Sequence, residues 1–219
     1  ALRSRLDRRE GDDFLERLSE LVLWETRDFP AGHPYNNVVA MPDDTPLPPI
    51  WLLGSSDYSS ELAAQVGMGF AFAHHFASYD AVAAMTNYRN HFKPSGWREG
   101  PHGILAVAAV AAETDAEAEK LAASMDLNRL RRDRGQYLPL PSVEEALAYH
   151  YTDAERASVA RNRSRLFVGN PATVQTKLQP LIDASKPDEL MVITAVYDHE
   201  ARKKSYSLLA EAFGPAKAA

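Results

Sequence analysis

The run from Pro48 to Phe76 limits the fold more than any other stretch of the chain. Ile50-Trp51-Leu52-Leu53 is apolar, too short for a helix and stopped by Gly54, so it reads as a buried strand. Ser55 or Ser56 can cap the helix that follows, whose apolar face holds Leu62, Ala63 and Val66. Gly67 suits the end of that helix, and Phe70 to Ala73 open a second buried strand that closes on His74 and His75. Two such strands joined by a crossover helix form a βαβ unit and lie parallel. Polar groups gather at the carboxyl ends of both strands, where α/β folds bind their ligands.

The same alternation continues along the chain. Phe14, Leu18, Leu21 and Val22 predict a helix over 12–24, and the Pro-, Asp- and Asn-rich stretch 28–49 reads as a long loop. A helix is expected over 79–92 and an uncharged buried strand over 103–111. Thr114-Asp115-Ala116-Glu117 resembles a capping box and opens a helix to about Met125. The rhythm then breaks at Arg129, Arg131, Arg132, Arg134, Pro139 and Pro141. With a helix expected over 153–165, this suggests an insertion around 126–165 within a single domain, 1–219. Asn170 with Pro171 starts another helix, 190–196 makes a fourth strand and 200–213 the terminal helix. Four apolar strands alternating with helices imply an α/β fold with a parallel sheet covered by helices.

Composition removes several function classes. A net charge of -6 argues against a nucleic-acid partner, which requires a concentrated basic face. The absence of cysteine excludes disulfides, thiolate metal sites and a cysteine nucleophile. No apolar run approaches a membrane span and no secretory pattern opens the sequence, so a cytoplasmic protein without a membrane partner is expected. There is no Gly-x-Ser-x-Gly elbow, Walker loop or dinucleotide fingerprint.

Two segments carry candidate chemistry. Gly54-Ser55-Ser56-Asp57-Tyr58-Ser59 joins a strand end to a helix start, where backbone N–H groups and the helix dipole favour an anion such as a phosphate. An ordinary capped turn explains the same residues, and Asp57 would repel a phosphate unless it points away. His74 and His75 end the second strand, so alternation sends one imidazole inward and the other to the helix layer. An inward histidine suits proton transfer, while a histidine bonded to backbone is the structural alternative. No third ligand stands near, so no metal site is expected. The arginines at 129–134 read as a solvated face of the insertion, with a lid as the alternative. Tyr197, Asp198 and His199 end the last strand, Asp198 as a helix cap. Trp51 is expected in the core.

Several segments resemble the bacterial luciferase-like, flavin-dependent monooxygenases. They are Pro49-Ile50-Trp51-Leu52-Leu53-Gly54-Ser55-Ser56, Leu62-Ala63-Ala64 before Gly67, and Phe70-Ala71-Phe72-Ala73-His74-His75-Phe76. Phe167-Val168-Gly169-Asn170-Pro171-Ala172-Thr173-Val174 is similar to the family's Val-Gly-Ser-Pro-Glu-Thr-Val segment. Asp188 to Val192 and Asp198 to Arg202 resemble its last strand and helix. The resemblance implies a (β/α)8 TIM-type barrel, of which this sequence carries the second half, about four parallel strands with their helices. It also implies that the full polypeptide is longer than the sequence given.

As the resemblance implies, Gly54, Ser55, Ser56 and Tyr58 bind the FMN phosphate; His74 and His75 stand as the catalytic candidates from their place at the strand end, the inward one toward a flavin, a peroxide or a substrate oxygen. The implied reaction uses reduced FMN, supplied by a separate flavin reductase, and O2 to oxidise a small organic substrate such as an aldehyde or ketone. A deazaflavin-dependent oxidoreductase and a non-catalytic flavin-binding half-barrel are the alternatives. Unpaired sheet edges would invite a homo-oligomer or pairing with the missing half.

Overall fold

The computed structural model describes residues 14–42 and 45–214. They group into two compact units divided between Pro49 and Ile50, where the sequence predicts one domain. In the first unit, helix α1 spans Phe14–Thr26. Residues 12 and 13, where the sequence starts this helix, lie outside the described residues. Trp24 meets Phe29 edge-on at 5.2 Å, and Phe29 stacks on His33 at 4.7 Å. The described residues from Arg27 to Pro49 carry no helix or strand, as their composition predicts.

The second unit runs β1 (Trp51–Gly54), α2 (Asp57–Val66), β2 (Gly69–Ala73), α3 (Ala81–His91), β3 (Gly103–Ala111), α4 (Asp115–Asp133), α5 (Val143–Ala148), α6 (Asp153–Arg163), β4 (Leu166–Gly169), α7 (Pro171–Ser185), β5 (Glu189–Ile193) and α8 (His199–Phe213). Local chemistry sets these boundaries. Gly67 ends α2 at φ 66°, a left-handed conformation that glycine adopts without strain, and a Cβ there would strike the Lys93 carbonyl and Ser95. Thr114, Asn170 and Asp198 each accept the amide three residues on, at 3.2, 3.0 and 2.7 Å.

Every strand pairing is parallel. Trp51 lies beside Gly69, Phe70 beside Gly103 and Ile104 beside Glu189, which gives the order β1-β2-β3-β5. These are the four strands that the sequence predicts, except that the last ends at Ile193 and leaves Glu189, Met191 and Ile193 exposed where a buried strand to 196 is expected. A fifth, β4, is the correction. Its Leu166–Gly169 pair with Ala108–Ala111, beyond the point where β2 stops at Ala106. The carbonyls of β3 alternate between edges: that of His102 accepts from Phe70 on the β2 edge, and that of Gly103 from Asp188 on the β5 edge. Ala112, of the same parity as His102, donates to the Gly169 carbonyl at 3.3 Å. So β4 continues the edge that β2 leaves.

The stretch 126–165 is also corrected. Helical rhythm does not break at Asp126, because α4 continues to Asp133, α5 packs against it through Leu127, Leu130 and Ala146, and α6 is tied to it through Arg163. The polar residues that look like a helix end are engaged. Arg163 donates to Asp126 Oδ2 at 2.7 and 3.0 Å, and Arg131 pairs with Glu145 at 2.6 Å. Burial pushes the Asp126 carboxyl up, against the pull of Arg163.

The sheet has two faces with different cover. Phe70, Phe72, Leu105, Val107, Ala109 and Ala111 face the layer of α3, α7 and α8, meeting Tyr88, Val174, Leu208 and Leu209. Each large apolar side chain sunk there is worth about 1.5–3 kcal/mol. On the opposite face α4 covers the carboxyl end of β3 and β4, through Ala118, Ala122 and Met125 against Ala108, Val110 and Val168. Trp51 is not in the deep core. It lies on this second face over Gly69, edge-on to His102 at 5.6 Å and under the Arg98 guanidinium at 5.2 Å.

Candidate active site

The carboxyl ends of β1 and β2, adjacent strands, bring the two predicted segments to one end of the sheet. Gly54 ends β1 with no room for a side chain, because a Cβ there would overlap Cβ and Oγ of Ser59. That contact draws the first turn of α2 onto the strand end. Ser56 takes the N-cap position, yet its hydroxyl makes no capping bond and lies 3.4 Å from Ser59 Oγ. Asp57 Oδ1 instead accepts from the Tyr58 amide at 2.8 Å. Ser55 and Ser56 are partly buried, and Tyr58 is exposed.

His74 and His75 sit one step past β2, in a turn closed by Ala77 N–H donating to the His74 carbonyl at 3.2 Å. Their rings diverge. His74 lies 6.2 Å from the Phe167 ring, while His75 Nδ1 is 3.3 Å from the Ala106 carbonyl. That carbonyl faces the stretch of β3 edge between β2 and β4, so the imidazole supplies the hydrogen bond that neither strand provides. A carbonyl only accepts, so Nδ1 carries the proton and Nε2 of the neutral ring is left as an acceptor. Burial lowers the pKa of both histidines below the usual 6.5. Arg165 and His75 add to the effect at His74 against the pull of Asp80, and Arg129 adds to it at His75 against the Ala106 hydrogen bond. Both shifts favour the neutral ring at pH 7.

The turn is held by two arginines that sequence reasoning missed in this role. Arg129 of α4 donates to the His75 carbonyl at 3.3 Å and to the Asn162 carbonyl at 3.2 Å. Arg165, just before β4, donates to the Ala77 carbonyl at 2.9 Å and to Asn162 Oδ1 at 3.3 Å. The predicted solvated face at 129–134 is thus largely engaged, since Arg134 also pairs with Glu155 at 2.6 Å. At the end of β5, Asp198 caps α8 and Tyr197 is exposed. Leu53, Met191 and Ile193, on the face opposite the α3 and α7 layer, are 68%, 51% and 37% exposed. Among the described residues no three His, Asp or Glu side chains gather as metal ligands, and no helix is long and apolar enough to cross a membrane.

The family described as luciferase-like monooxygenase matches residues 7–185. The chain belongs to the luciferase-like monooxygenase family. It is 36% identical over 201 residues to the uncharacterized protein YceB of Bacillus subtilis (strain 168), covering 92% of this chain and 61% of that protein. It is 36% identical over 197 residues to a luciferase-like monooxygenase of Escherichia coli (strain K12), covering 90% and 58%. The crystal structure of apo-MsnO8 superposes with a TM-score of 0.80 at 33% identity, over 93% of this chain and 61% of that one. The chain therefore spans about three fifths of the length of these relatives. Its fold is α/β of the (β/α)8 TIM-barrel type, with β1, β2, β3 and β5 as consecutive parallel staves of a half-barrel.

Proposed function

We propose that this chain is part of a flavin-dependent monooxygenase that acts in the cytoplasm. It uses reduced FMN, delivered by a separate flavin reductase, and O2 to oxidise a small organic substrate such as an aldehyde or ketone. The observation that carries this reading is the placing of a serine-lined helix start and a histidine pair at the carboxyl ends of adjacent strands, in a chain of this family.

The residues fit a flavin phosphate. Gly54 lets the first turn of α2 close onto the end of β1, and Ser56 leaves the first-turn N–H groups of α2 free of its own hydroxyl. Ser55 and Ser56 would hold the phosphate with Tyr58 at the rim, and Asp57 must turn outward to release the Tyr58 amide. Bound flavin supplies the redox chemistry with O2. The chain's own residues do the rest. Nε2 of His75 accepts a hydrogen bond or a proton, and the neutral His74 avoids adding charge beside it. Leu53, Met191 and Ile193 offer an apolar wall that displaces water from a planar ring or an alkyl substrate.

A second reading, a flavin-binding half-barrel without turnover, draws on the same wall and on the outer edges of β1 and β5, which have no strand partner among the described residues. Pairing with a first half-barrel or with a second copy would cover both.

FMN fluorescence quenching, followed by O2 uptake with a reductase present, tests the proposal on this chain and on the natural-length protein side by side. Saturable quenching is expected, weakened about tenfold by Ser56→Ala, the equivalent of about 1.4 kcal/mol. No quenching by either polypeptide would overturn the assignment. Quenching without O2 uptake by both would favour the non-catalytic reading.

A further inference from the structure

We propose that Arg129 and Arg165 are positioning residues that hold the His74–His75 turn in place through its backbone carbonyls, so that the helical stretch between β3 and β4 sets where the two imidazoles stand. This rests on the reading above only in treating the histidines as part of the site.

The turn has few holds of its own. The amide bonds of Phe76 and Ala77 within it are long, at 3.4 and 3.2 Å, and Phe76 is exposed. Beyond Ala73, β2 has left the ladder, so no neighbouring strand fixes the backbone at His74 and His75. The two guanidiniums substitute for that strand. One reaches the His75 carbonyl from α4 and the other the Ala77 carbonyl from the link before β4. Asn162 of α6 ties them together, with its main-chain carbonyl on Arg129, its side-chain oxygen on Arg165 and its amide on Asp133 at 2.9 Å. Hydrogen bonds from ionised donors are roughly twice as strong as neutral ones. Of the two, the Arg165 bond at 2.9 Å is the closer hold and the Arg129 bond at 3.3 Å the looser one, and together they grip the turn from two elements.

The arrangement is electrostatically directed as well. The charged group facing His75 is Arg129, with the titratable ring of His74 beside it; those facing His74 are Arg165 and Asp80 at the start of α3, with the ring of His75 beside it. Cations dominate this set, and they favour the uncharged rings. Arg129 is itself partly buried, with Asp126 and Asp133 as its nearest compensating charges. Losing Arg129 therefore removes both a carbonyl anchor and a charge.

Imidazole NMR titration and amide hydrogen exchange on the flavin-free protein test this with Arg129→Gln, Arg129→Lys and Asn162→Ala. Arg129→Gln is expected to move the His75 titration upward and to speed exchange of the Ala77 amide by on the order of tenfold. Arg129→Lys, which keeps the charge and one donor, restores the titration and part of the protection. Asn162→Ala changes no charge and loosens the Arg165 anchor, so it speeds Ala77 exchange while β3 amides stay protected. Unchanged titration and exchange in both Arg129→Gln and Asn162→Ala would overturn the proposal, as would exchange that rises equally in β3. If Arg129→Gln fails to fold, Asn162→Ala decides alone. In a turnover assay the pH profile should shift in the same direction as the His75 titration. Normal NMR effects with an unmoved pH profile would leave the clamp standing and remove the histidines from the site.

Discussion

Replacing Gly54 by Ala tests how the proposed phosphate turn is built. The added methyl would lie inside the van der Waals envelope of Ser59 Cβ and Oγ. The hydroxyl can rotate away, but Cβ is fixed to the backbone of α2, so the first turn of the helix must shift off the end of β1. Overpacking of this kind costs about 1–3 kcal/mol. Taking about 2 kcal/mol, and a melting shift of about 2–4 °C per kcal/mol for a unit of this size, the melting temperature should fall by about 4–8 °C. Ser59→Gly removes the opposing Cβ at a cost of about 0.5–1 kcal/mol in helix propensity. The double variant should then be more stable than Gly54→Ala alone, with a coupling of about 1 kcal/mol or more in a double-mutant cycle. Calorimetry of the four proteins reads this directly. Additive losses, or a Gly54→Ala protein that melts with the wild type, would refute the claim that Ser59 packing fixes the turn.

Tyr88→Phe should destabilise by about 1–3 kcal/mol in urea unfolding, because the hydroxyl donates to the Met68 carbonyl at 2.8 Å and accepts from the His102 amide at 3.0 Å. A midpoint within error of wild type would show that those groups find other partners. Glu155 is held at a pKa of about 2 by the Thr152 amide, then the Tyr149 hydroxyl and, among the weaker influences, Arg134. Its folded pKa lies below the ordinary 4.5, so its stabilisation is present above that value and is lost as the pH falls from about 4.5 to about 2. The α5–α6 segment should loosen in that window, followed by Tyr149 and Tyr151 fluorescence, and Glu155→Gln should flatten the dependence.

How far the sequence reveals this molecule depends on whether a contact leaves a pattern in the residues that make it. Strand β3 announces itself as nine uncharged residues, and α7 through Asn170-Pro171. Strand β4 is four residues directly after a helical pattern, with no turn residue of its own, and merges into its neighbours. Helix α4 reads as ending at Asp126 because Asp126, Asn128 and Arg129 are polar, yet the partners of Asp126 and Arg129, namely Arg163 and the carbonyls of His75 and Asn162, are far away in sequence. The serine turn and the histidine pair are visible because they follow apolar strands. Arg129 and Arg165 are not, because a bond to a main-chain carbonyl asks nothing of the residue that carries it.

The splicing of β4 onto the edge vacated by β2 has a consequence for how such a chain can vary. Residues 112–165 leave β3 at its end and return four positions back along its edge, Leu166 beside Ala108. The detour starts and finishes at nearly one place on a single strand. Outside the core-facing side of α4, where Ala118, Ala122 and Met125 pack on the sheet, the length and content of the detour can change without sliding β1, β2, β3 or β5 past one another. Through Arg129 and Arg165 the same detour grips the histidine turn. The part of the detour beyond α4's core face is thus a side branch on a fixed frame, and changing it would alter the grip on the histidine turn while leaving the staves in register.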